Sequence, residues 1–159
     1  MKIRVVFLFV VSLGLFSCSS DDDAPSVMGS LVGTWELTSV TGGIPVDLNM
    51  DGTPSTNLLQ ELPCFKDTLV VNDDNTYSQD VTDIDVSVDT SGPFPIPIVE
   101  CTGLILMETG TWSLVGDQLT FTPEGQDPTI VAIMLTETTL SFSDTVEGLG
   151  QVALMFTRQ

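Results

Sequence analysis

The chain predicts an all-β protein, a single antiparallel up-and-down β-barrel of about eight strands. Thr, Val, Ile, Leu and Phe dominate short segments punctuated by Gly, Asn, Asp and Pro, as strands and turns require, and helical periodicity is almost absent. The segments follow one another through short connections of turn-forming residues, the mark of a meander. Composition shows no break from Ser30 to Gln159, and about 130 residues suits one domain. Closing such a sheet into a barrel removes its exposed edges; an open sandwich is the alternative.

The strands can be justified in order. GTWELTSV alternates, with Trp35 and Leu37 on one face. DTLVV and TYSQDV flank Asn72-Asp73-Asp74-Asn75, residues that tolerate or imitate turn geometry. Ile84, Val86 and Val88 alternate with Asp83, Asp85, Ser87 and Asp89, which predicts a strand with a solvated acidic outer wall. LILMETGTWSL and QLTFTP flank Gly116-Asp117, a two-residue hairpin signal. TIVAIML and TLSFS flank Glu137-Thr138, and QVALMFTR ends the series. Two stretches fall outside the meander. Gly42 to Pro63 is a long excursion in which Ser55 is placed to cap one short helix through Asn57 to Glu61, stopped near Pro63. Ser91 to Glu100 carries Pro93, Pro95 and Pro97, which donate no ladder hydrogen bonds and read as an extended loop.

The N-terminus reads as an address. Lys2 and Arg4 precede an apolar run from Val5 to Phe16, too short for a span of about 20 residues but of signal-peptide length. Leu15, Ser17 and Cys18 resemble the lipobox of bacterial lipoproteins, with Phe16 departing from the commoner small residue. The expected division is a signal peptide over 1–17, a lipidated tether over 18–29 and the barrel domain over 30–159. Acyl chains such as palmitate on Cys18 would anchor the protein in outer-membrane lipid, at about 0.8 kcal/mol per buried methylene. SSDDD after Cys18 resembles the export signal that sends some lipoproteins to the cell exterior; the periplasmic face is the alternative.

Without residues 1–17 the chain carries 22 acids against Lys66 and Arg158, a net charge of about −20. Such a field repels nucleic acid and attracts cations, so a nucleic-acid partner is not expected. With Cys18 acylated, Cys64 and Cys101 remain in a compartment that permits disulfides. They are expected to pair, two buried free thiols being the alternative.

Gly33-Thr34-Trp35 resembles the G-x-W signature of lipocalins, whose Trp plugs the closed end of the barrel, and Arg158 stands where lipocalins keep an Arg over that Trp. Residues 31–159 resemble the lipocalin-like domain of bacterial lipoproteins in G-T-W, D-L-N-x-D-G, N-L-L before a Cys, and the second copy Gly110-Thr111-Trp112. The resemblance implies a barrel that holds a small apolar or amphipathic ligand. Trp112, Met107, Met134 and Met155 are candidates to line its cavity, since thioethers adapt to varied ligands; ordinary core is the alternative.

The chain has no histidine, which excludes Ser-His-Asp and Cys-His catalysis and His-ligated zinc. Glycine-rich phosphate loops are absent, and no argument selects a catalytic pair among 22 acids, so an enzyme is not expected. No cofactor is certain. Asp47 to Gly52, DLNMDG, spells the first half of an EF-hand calcium loop, with Asp47, Asn49, Asp51 and the Thr53 carbonyl as ligands. Leu58 stands where the bidentate Glu belongs, and Glu61 would have to swing back to supply it; the competing reading is a polar turn. Two functions remain: an anchored barrel binding a small apolar or amphipathic molecule, or a surface module with a filled barrel and calcium-ordered loops that meets a protein or glycan.

The lipobox residues generate a direct expectation. Cys18→Ser, or inhibition of lipoprotein signal processing, should leave the protein without its acyl mass and free of membrane. Unchanged mass and unchanged membrane partitioning of the variant would rule the anchor out.

Overall fold

A computed structural model describes residues 29–92, 96–146 and 150–159; Cys18, the signal peptide and most of the tether lie outside these. Among the described residues nine strands and one short helix follow in the order β1 (Gly33–Val46), β2 (Ser55–Asn57), α1 (Leu58–Glu61), β3 (Asp67–Val71), β4 (Thr76–Asp89), β5 (Ile96–Val115), β6 (Gln118–Pro123), β7 (Thr129–Leu135), β8 (Thr139–Val146) and β9 (Gly150–Arg158). Each strand from β3 onward pairs antiparallel with the next, β3 pairs with β1, and β9 returns to β1. Eight strands therefore close an up-and-down barrel, as the alternation and short turns predict, with β2 a three-residue addition along the outer half of β1.

The core follows from strand alternation. Trp35, Val71, Leu119, Leu140, Val152 and Phe156 are fully buried and, with Leu69, Ile133 and Leu135, make the core inside the barrel. A register shift between Leu37 and Ser39 changes which side of β1 faces in, so that Val40 joins Leu37 in the core.

Chain direction puts the turns at 72–75, 116–117 and 136–138 and the segment before β1 at one end. That end is closed by Trp35 and Arg158. The indole Nε1 donates to the carbonyl of Leu31 at 2.8 Å, and the guanidinium lies 4.2 Å from the indole centroid. Arg158 spends its donors on backbone: Nε to Glu137 O at 2.8 Å, Nη1 to Val32 O at 2.8 Å, and Nη2 to Ser30 O. Gly33 makes room for it. A Cβ at Gly33 would stand 2.3 Å from Arg158 Nη1, and its φ of +148° suits few L-residues.

The second G-T-W has its own cause. A Cβ at Gly110 would meet the Tyr77 ring at 2.8 Å, since that buried ring lies across β5. Trp112 sits toward the closed end, half-buried against the core, its Nε1 bonded to Asn72 O at 3.0 Å.

At the open end β4 and β5 run on as a two-stranded ribbon. From Thr82 outward they pair with each other and with neither β3 nor β6. The expected extended loop at Ser91 to Glu100 is thus corrected in part: residues 96–100 form the start of β5, where an outer ribbon tolerates Pro97 opposite Val88. The alternation on β4 needs a correction of its other face only. Asp85 and Ser87 are exposed as expected, but Val86 and Val88 are exposed too, and within the ribbon it is Val99, opposite Val86, that packs against the core. Cys64 and Cys101 form a disulfide, Cα to Cα 6.2 Å, tying the segment after α1 to this ribbon. Closing a loop of this size contributes roughly 3 to 4 kcal/mol in the chain-entropy model. Thr82 reinforces the junction, bonding Lys66 N at 3.0 Å and Cys64 O at 3.3 Å. The helix starts later than expected. Asn57 caps it by accepting from Leu59 N, and Ser55 lies in β2.

The closed end yields a prediction. Arg158→Lys keeps the charge but loses the planar fork, and Gly33→Ala displaces it. Each should lower stability by about 1 to 3 kcal/mol in urea unfolding. The double variant should lose much less than the sum, since both act on one contact. Full additivity would separate Gly33 from Arg158.

Candidate functional site

The inner face of the barrel is not filled. Toward the open end it leaves a cavity of about 290 Å³. Phe121 from β6, Phe142 from β8 and Leu154 with Phe156 from β9 give it apolar walls. The rings are fixed by their neighbours: Tyr77 meets Phe121 edge-on at 4.8 Å, and Phe142 stacks on Phe156 at 5.9 Å. The exposed residues Gln126 and Asp127, from the β6–β7 connection, form part of the rim.

Thr129 and Asp144 are exposed parts of the lining, whereas three polar side chains that are buried or half-buried interrupt the apolar wall, each placed by alternation. Asp67 shares the inward face of β3 with Leu69 and Val71; Gln79 shares that of β4 with Tyr77; Glu108 shares that of β5 with Gly110. Tyr77 donates its hydroxyl to Glu108 Oε1 at 2.7 Å, and Gln79 Nε2 donates to Asp67 Oδ2 at 2.8 Å. Asp67 is only 5 % exposed, and its Oδ1 is buried with no hydrogen-bond partner among the described residues. Burial raises its carboxyl to about 6; the Gln79 donor opposes this, and the Glu108 charge adds to it. Burial and the bond to Glu108 push the Tyr77 hydroxyl well above its ordinary range. An acceptor held in an apolar wall without a donor costs free energy wherever no ligand supplies one.

The methionines, candidates for cavity lining or for ordinary core, are in neither place. Met107 and Met134 are each 73 % exposed and Met155 42 %. Strand alternation sends them outward because Glu108, then Ile133 and Leu135, then Leu154 and Phe156 take the inward positions. Trp112 is likewise placed below the cavity, among the packed residues of the closed end. Asp67, Gln79, Glu108 and Phe142 were not anticipated. The signal that finds the first three is a polar residue on the apolar parity of a strand, as Asp67 is in DTLVV.

The DLNMDG loop is held by its own groups. Asp47 accepts from the amides of Asp51 and Gly52 at 3.1 and 2.9 Å, Asn49 Oδ1 from Asp51 N at 2.9 Å, and Asp51 Oδ1 from Thr53 N at 2.7 Å. Asn49 Nδ2 donates to Asp51 Oδ2 at 3.2 Å. Glu61 does turn back from α1, but its Oε2 accepts from Leu48 N at 3.2 Å. Among the described residues no three acidic or cysteine side chains gather as a metal-holding group.

Comparison with known proteins adds the family. The model of the lipocalin-like domain matches residues 31–142. No curated protein matches. Among solved structures, the crystal structure of wild-type fluorescent protein UnaG is similar at 17 % identity over 81 % of this chain and 96 % of that one. Its TM-score of 0.33 is too low to carry an argument. With a closed antiparallel barrel, Trp35 and Arg158 sealing one end, and a family match over well more than half its length, the chain belongs to the lipocalin-like domain family.

Proposed function

We propose that this protein is a binder, not an enzyme, and that it holds a compact small molecule in the barrel cavity while an acylated Cys18 anchors it to the outer membrane, facing the exterior. The observation that carries the binding half is the cavity itself, of about 290 Å³, with apolar walls and a buried acceptor left without a donor. That volume lies at the lower end of ordinary ligand sites, which favours a compact ligand over a long chain. The anchoring half rests on the lipobox residues and the SSDDD tether. The competing reading, a surface module with a filled barrel, is weaker because the inner face stays open. Calcium at DLNMDG is the weaker proposal for the loop, whose oxygens already have donors; an unfolding midpoint raised by millimolar calcium over chelator would restore it.

Native mass spectrometry of the purified protein tests the binding reading. The expected result is a retained small molecule, lost when Phe142→Trp fills the cavity in a variant that still folds by circular dichroism. A protein with no retained mass, and no uptake from a panel of small amphiphiles, would sink it.

The charge on Asp67 is a cost to stability. Its carboxyl stands at about 6 in the folded protein against an ordinary 3.8. The folded state therefore holds the proton more tightly, and stability present below pH 4 is lost as pH rises through 6. The size is about 3 kcal/mol at most. Glu108, Asp127 and Asp144 also line the cavity, so the difference between wild type and Asp67→Asn isolates this group. Asp67→Asn should be the more stable protein at pH 7, with the advantage shrinking toward pH 4 in urea unfolding. A constant difference across that range would contradict the raised carboxyl.

A further inference from the structure

We propose that the cavity selects an organic cation, a compact amine with an apolar body, over neutral or anionic molecules of the same shape. The inference rests on the reading of the barrel as the ligand site and names the ligand's chemistry.

Four carboxylates line the cavity, Asp67 and Glu108 in its wall with Asp127 and Asp144, and among the described residues no Lys or Arg lines it. The basic side chains in the barrel sequence are committed elsewhere. Lys66 is exposed, and Arg158 uses its donors at the closed end. An anionic ligand would enter a site of like charge with no counterion. A neutral one would leave the Asp67 charge uncompensated. An ammonium brings three donors and a positive charge, and the Asp67 carboxylate, which lines the cavity and has no cation beside it among the described residues, is the counter-charge for it. Phe121, Phe142 and Phe156 supply ring faces and edges against which an apolar body packs and a cation is attracted. A bare metal ion fits less well. No three of the acids converge to hold one, and phenyl walls offer it no ligands.

A buried carboxylate that meets no cation is a loss; one that meets an ammonium recovers that loss on binding and rejects anions at the same position.

Calorimetric titration of the purified protein at pH 7.5 with 4-phenylbutylamine, 4-phenylbutanol and 4-phenylbutyrate separates the possibilities. The amine should bind with one-to-one stoichiometry at least about tenfold more tightly than the alcohol, and the acid should not bind. Asp67→Asn should cost the amine about tenfold or more and leave the alcohol unchanged. Alcohol or acid binding as tightly as amine overturns the cation proposal and leaves the barrel as a ligand site. Amine binding that ignores Asp67→Asn, or exceeds one per chain, is attraction to an acidic surface and also overturns it. Binding of none of the three, with no retained mass in the native protein, overturns both readings.

Discussion

One contact sets the frame for the rest. Arg158 lies over Trp35 and reaches carbonyls of the segment before β1 and of the β7–β8 turn. A single side chain on the last strand thus joins the first strand, the entry to the barrel and a distant hairpin. It does so with charge-assisted bonds to backbone groups that would otherwise compete for water. Because this end is sealed and packed, the space inside the barrel can open only at the other.

The two ends are held by different means. The closed end depends on a buried indole, a planar cation and a glycine that keeps out of their way. The open end depends on the Cys64–Cys101 bridge and on Thr82, which fasten the β4–β5 ribbon to the segment after α1. Between them lies a wall that breaks the rule governing the rest of the core. Asp67, Gln79 and Glu108 are polar where alternation calls for apolar side chains, and the buried Oδ1 of Asp67 has no donor among the described residues. Departures from a consistent pattern that lower stability are where function is to be sought.

Much of the barrel could be read from the chain because its signals are local. Gly116-Asp117 is a turn wherever it occurs between alternating segments, and Gly116 adopts the positive φ, 63°, that such a hairpin uses. Gly33-Thr34-Trp35 and Arg158 could be placed at one end by family resemblance. The cavity was harder to see. Hydrophobicity alone put Met107, Met134 and Met155 inside, whereas their strand neighbours decide which face is inward. Glu108, a charge, lies inside beside an outward Met107, an inversion that only the pairing of Gln79 with Glu108 makes visible. DLNMDG misleads for a related reason: oxygens spaced for a cation are also spaced for the amides two to five residues along the same loop.

The closed end carries a kinetic consequence. The bonds from Arg158 to Ser30 and Val32 join residues 128 and 126 positions apart, and β9 must pair with β1 before they can form. Hairpins such as β5–β6 need only a few residues and can form early; the contact that shuts the base is among the most remote in the chain. Proteins dominated by such remote pairings fold in milliseconds to seconds, not microseconds. Until closure, β1 and β9 are edges open to pairing with another chain, so the same contact that encloses a ligand also ends the interval in which the protein is exposed to aggregation.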